Sequence, residues 1–138
     1  MDISKGQLEN GHDCRLSHVV VTDEEVALLC SSAVVYFDRD DGLTDTWFAR
    51  GPLSLRRPKE VRGNTRPAEL WIYECELEID GRKSPLEALL LPQRDVSLRI
   101  TWNDGTTLSI LAAEEASLSL ELYEREGAFD FRALVTRD

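Results

Sequence analysis

The sequence predicts a mainly β fold, α+β only through one short N-terminal helix, arranged as an antiparallel, hairpin-rich sandwich or flattened barrel of about eight strands. Two observations carry this expectation. The turn sequences Asp40-Asp41-Gly42, Asp80-Gly81 and Asn103-Asp104-Gly105 separate runs rich in β-branched and aromatic residues, and such turns need the positive φ that Gly adopts freely and Asn or Asp tolerates. Apolar and polar residues also alternate along several of those runs, the period of a strand with one dry and one wet face.

Taken in chain order, residues 1–15 show no periodicity and are expected to form a flexible arm ahead of one β-rich domain, residues 16–138. Residues 18–21 read as a first strand. Thr22 followed by Glu25 has the form of a capping box, and Val26, Leu29, Cys30 and Ala33 repeat at i, i+3, i+4 and i+7, so a short helix is predicted over residues 23–33. The competing reading is a strand pair, 26–30 and 33–37, turning at Ser31 and Ser32. Three hairpins follow: 34–38 with 44–48, 70–79 with 86–91, and 96–102 with 107–111. Residues 117–123 form a further strand by the alternation of Leu118, Leu120 and Leu122 with Ser117, Ser119 and Glu121, and 129–135 is the last candidate.

Strand 70–79 is the most informative, because it places Trp71, Tyr73, Cys75, Leu77 and Ile79 on one face and Glu74, Glu76 and Glu78 on the other. Val96, Leu98, Ile100 and Trp102 oppose Ser97, Arg99 and Thr101 in the same way. Strands of this kind hide their apolar faces only by folding over one another.

The 138 residues suit one domain, and 42% hydrophobic with 30% charged residues is ordinary globular usage. No run of about 18 apolar residues and no leader pattern occurs, so neither a membrane anchor nor export is expected. Cys14, Cys30 and Cys75 form an odd set without C-x-x-C spacing, which fits neither a disulfide framework nor a zinc site. A reducing cytoplasm is the expected home, with Cys30 and Cys75 as small core hydrophobes. The net charge of −10, from 26 acidic and 16 basic residues, repels nucleic-acid phosphates and anionic membranes and attracts a basic partner.

No catalytic residue, cofactor or metal site is expected. His12 and His18 are the two histidines, one in the arm and one at the edge of the first strand, and no G-x-S-x-G, H-E-x-x-H, P-loop or G-x-G-x-x-G is present. Asp38, Asp40, Asp41 and Asp45 cluster around Gly42. Counted from Asp38 as an EF-hand loop, however, Gly42 falls where an oxygen ligand belongs and Ala49 where a bidentate Glu closes the site. A turn with solvated acids accounts for them.

Two charged features remain. The row Glu74, Glu76 and Glu78 is the wet face of an amphipathic strand, and it also suits a cationic partner. Segment 50–66 carries Arg50, Arg56, Arg57, Lys59, Arg62 and Arg66 against Glu60 alone, a net +5 that leaves −15 for the rest. Pro52, Pro58, Gly63 and the following Pro67 mark it as a long exposed connection. It would either bind anionic groups on a partner or fold over the acidic sheet.

The expected function is that of a small acidic protein-protein interaction module, an inhibitor or immunity-type protein included, with a protein partner and neither nucleic acid nor membrane. Its partner-binding residues would be Glu74, Glu76, Glu78, Arg50, Arg56, Arg57, Lys59, Arg62 and Arg66. The alternatives are a small-ligand barrel or barrel enzyme with Trp71, Tyr73 or Trp102 lining a pocket, and a structural component that pairs through a hairpin edge.

Overall fold

A computed structural model describes residues 3–8, 15–68 and 72–130, with the side chains of Ser4, Ser17, Ile72 and Tyr73 outside the description. Ten strands are assigned there: β1 (Gln7–Leu8), β2 (Arg15–Val21), β3 (Glu25–Asp38), β4 (Thr44–Arg56), β5 (Glu60–Gly63), β6 (Ile72–Ile79), β7 (Arg82–Ser84), β8 (Gln93–Trp102), β9 (Thr107–Leu118) and β10 (Glu121–Phe129). They make one antiparallel sheet curled into a half-barrel. The order is β1-β3-β4-β9-β8-β6-β7, with β2 beside β3, β10 beside β4 and β5 beside β9. The predicted mainly β, antiparallel class is therefore observed, reached by curling a single sheet.

The hairpins form where alternation meets a turn sequence. Asp38 pairs with Thr44 around Asp40-Asp41-Gly42, and Thr101 with Thr107 around Asn103-Asp104-Gly105. Asp80 and Gly81 close the two-residue β6–β7 turn with φ of 51° and 76°, the both-positive geometry whose twist matches the flanking strands. The hairpin partner expected at residues 86–91 is corrected: β7 takes that role, and Leu86–Leu90 is a 3-10 turn that drives Leu86 and Leu89 into the core. Residues 117–123 are likewise divided, β9 ending at Leu118 and β10 starting at Glu121. Of the last candidate strand, Phe129 ends β10 and residues 131–138 lie outside the described part.

The predicted helix over 23–33 is a strand. Thr22 Oγ1 does accept the N–H groups of Glu24 and Glu25, at 3.3 and 3.1 Å, but the bonds close the β2–β3 turn, where Thr22 N–H also donates to Glu25 O at 2.9 Å. The same hydroxyl chemistry serves a cap and a turn. The competing strand pair is also corrected, because Ser31 and Ser32 form a bulge inside one long strand: Cys30 pairs with Gly51 and Ala33 with Ala49. The extra residue resets the alternation, so Val26, Leu28 and Cys30 and then Ala33, Val35 and Phe37 all point inward.

Segment 50–66, expected as an exposed connection, is mostly sheet. Arg50 and Arg56 lie in β4 and Arg62 lies in β5, while residues 57–59 and 64–66 are outside the strands. Of the expected arm, Gln7 and Leu8 pair with Tyr36 and Val35, and Leu8 is buried. Arg15 begins β2, and residues 9–14 lie outside the described part.

The core fills the concave side. The register aligns Val61, Ile110, Leu98 and Leu77 across β5, β9, β8 and β6, and Ile110, Leu98 and Leu77 are buried. Trp102, also fully buried, donates its indole N–H to Asn64 O at 2.9 Å. It is a core residue with its polar atom satisfied. No helix among the described residues is long and apolar enough to cross a membrane.

Candidate functional site

The convex side of the sheet reads as rows of in-register residues. β6 places Glu74 opposite Thr101, Glu76 opposite Arg99 and Glu78 opposite Ser97 on β8, while Lys83 of β7 flanks Glu78 from the other side. All three glutamates are exposed, and Cys75, Leu77 and Ile79 between them are wholly or partly buried. Farther across, Arg99 is opposite Ser109 of β9, and Ser109 is opposite Arg62 of β5. Arg62, Ser109, Arg99 and Glu76 thus form one ladder. The acidic row and Arg62, distant in sequence, lie on one continuous outer face.

None of the three glutamates makes an ion pair among the described residues, nor do Arg99 and Lys83. Arg62 instead bridges Glu60 at 2.8 Å. Arg99, Lys83 and Arg94 were absent from the expected site. Arg99 was legible as the wet-face partner of Leu98 and Ile100, but its place beside Glu76 depends on a register that the sequence does not print.

The basic residues of segment 50–66 are dispersed. Arg50 lies on the β4–β10 part of the sheet, its guanidinium 4.8 Å from the ring centroid of Tyr123, which in turn stacks on Phe48 at 6.4 Å. Arg66 is exposed beside the β8–β9 turn, its backbone N–H donating to Asn64 Oδ1 at 2.9 Å. Arg56, Arg57 and Lys59 meet Arg94 and Glu115 around an open cleft of ≈ 490 Å³ where β4 and β5 part along β9.

That cleft has a structural cause. Arg57, Asp95 and Ala112, on neighbouring chain segments, all have left-handed φ, of 49°, 54° and 51°. Irregularities of this kind disrupt a ladder and bend it locally, and the β8–β9 register shifts here, between the pairs Val96 with Ala113 and Leu98 with Ile110. The charges beside the cleft alternate. Glu25, Arg56, Glu115 and Arg94 are in register across β3, β4, β9 and β8, while Arg57 bridges Glu24 at 3.3 Å and Glu114 at 3.4 Å. Opposite charges on adjacent strands attract, so this cleft is internally compensated, whereas the β6 row is only partly so.

Asp45 takes hydrogen bonds from Arg125 and Arg39, which hold its carboxyl below the usual range. Asp41 bridges Arg39 at 2.9 Å and accepts Leu43 N–H at 3.0 Å, so these turn acids are committed to local partners. No group of three or more His, Cys, Asp and Glu side chains among the described residues is placed to hold a metal ion.

Cys30 is buried, and Cys75 faces inward between two glutamates. Burial first, and then the negative charge of Glu76, push the Cys75 thiol up to about 12. The thiolate is the reactive form, so Cys75 is expected to resist an aromatic disulfide reagent at pH 8 in the folded chain and to react freely in denaturant. Rapid native labelling at Cys75 would contradict this. The linked stability is intact below the unfolded thiol range and is lost as pH rises toward 12.

Compared with known proteins, the chain matches no family model, no curated protein and no solved structure.

Proposed function

We propose that this chain is a protein-protein interaction module, of the inhibitor or immunity-protein class, that works in a reducing cytoplasm and docks its partner on the outer face formed by β5, β9, β8, β6 and β7. The observation that carries the reading is the exposed row Glu74, Glu76 and Glu78, which makes no ion pair among the described residues although Arg99 and Lys83 stand in register beside it. Unneutralised charge on a rigid sheet steers encounter and selects a complementary partner. The overall charge of −10 favours a basic protein and disfavours nucleic acid and anionic membrane.

The reading is tested by capturing a partner from native lysate of the source cell with the full chain and with E74K/E76K/E78K. The substitutions are all on exposed positions and should leave the fold intact, which circular dichroism checks. Wild-type capture is expected to weaken when ionic strength rises from about 0.1 M to about 1 M, as the screening length falls from about 10 Å to about 3 Å. The triple variant is expected to lose the partner. Equal capture by both chains would refute the proposal.

A further inference from the structure

Resting on that reading, we infer how the partner is held: a basic, extended segment of the partner adds as a strand to the open edge of β6 at residues 72–76. The topology supplies the edge. β8 pairs with β6 along most of its length, but β7 is short and covers only Leu77, Glu78 and Ile79 on the far side. Residues 72–76 are therefore paired on one side only among the described residues. Every second backbone N–H and C=O of such a stretch points outward, ready for a further strand.

The side chains select the occupant. An added strand lies about 4.8 Å from β6, and its alternate side chains on the outer face come directly opposite Glu74 and Glu76. Lys or Arg at those positions completes a cross-strand charge pair with each. Glu74 has the greater need, since its neighbour on β8 is the neutral Thr101, whereas Glu76 already has Arg99 in register.

A second copy of this chain is a poor occupant, because pairing β6 with β6 brings glutamates against glutamates, and like charges opposite one another destabilise. Charged residues on an edge also guard against indiscriminate pairing. Glutamates guard against neutral and acidic strands while leaving a basic one welcome. The stretch is short and carries a bulge between Ile72 and Glu74, so few main-chain bonds form and the charge pairs set the selectivity.

The experiment uses the full chain and a synthetic eight-residue peptide alternating Lys with Thr, followed by calorimetry and amide hydrogen exchange. Binding is expected to slow exchange within residues 72–76, to weaken by about tenfold or more in E74K/E76K, and to weaken by a similar factor when alternate peptide amides are N-methylated. If the N-methylated peptide binds as well as the parent, or protection appears elsewhere, strand addition is wrong and the charged-face reading stands. Binding indifferent to E74K/E76K overturns strand addition and counts against the acidic row itself. No binding of the peptide overturns strand addition, and partner capture then decides the wider reading.

Discussion

Replacing Trp102 by Ala is expected to destabilise the fold by about 4 kcal/mol, the range for truncating a large aromatic in a closed core. Trp102 is wholly buried at the end of β8, on the same face as Val96, Leu98 and Ile100, each buried to 1% exposure or less. Its indole also ties the chain beyond β5 to the sheet through the 2.9 Å bond to Asn64 O. Truncation opens a cavity and removes the donor from that carbonyl, and both effects act in the same direction. Urea denaturation reads the loss as a lower midpoint at unchanged slope. W102F keeps most of the volume but loses the indole N–H and part of the ring system, so it should cost less, about 1–2 kcal/mol. A W102A loss below about 1 kcal/mol would contradict the packing described for this core.

The second large effect is expected at Gly51. Here β4 changes partner: Arg50 pairs with Glu121 of β10, and Leu53 pairs with Leu118 of β9. The junction between β9 and β10 crosses at this point, with Ser119 N–H donating to Pro52 O at 3.0 Å. A Cβ on Gly51 would overlap the backbone oxygen of Ser119, and a backbone atom cannot swing aside as a side chain can. G51A should therefore cost about 3 kcal/mol, at the upper end of overpacking effects. G105A is the matched control. Gly105 has φ of +84° but nothing within 4 Å of the added carbon, so only the conformational strain of about 1–2 kcal/mol remains. Equal losses for the two variants would show that the crossing at Ser119 is looser than described.

Much of this fold was legible because turn chemistry and alternation agree. Asp80-Gly81 and the row Glu74, Glu76 and Glu78 needed no tertiary knowledge, since each follows from backbone geometry over a few residues. The predicted helix over 23–33 failed because of a bulge. At Ser31 and Ser32 the extra residue shifted the inward set by one and made Val26, Cys30 and Ala33 resemble a helical stripe. Leu29, the fourth member of that stripe, is 37% exposed, while Leu28 beside it is fully buried. No helix face buries them that way.

Segment 50–66 misled for a different reason. Pro52 and Gly51 sit where β4 exchanges partners, Pro58 sits in the break before β5, and Gly63 ends β5, so residues that usually punctuate loops here mark joints within a sheet. Its cations share a stretch of chain and not a surface. Arg62 belongs with Arg99 and Glu76, Arg56 with Glu115 and Arg94, and Arg50 with Tyr123. Only the register reveals those groupings, because charge counted along a chain carries no information about which strands become neighbours.

The most direct test of the account is the salt dependence of affinity for the captured partner, compared between the wild-type chain and E74Q/E76Q/E78Q. If the β6 row is the docking surface, the wild-type affinity falls steeply as salt rises, and the variant binds more weakly at low salt with a much shallower slope. Identical affinities and slopes for the two chains would contradict it.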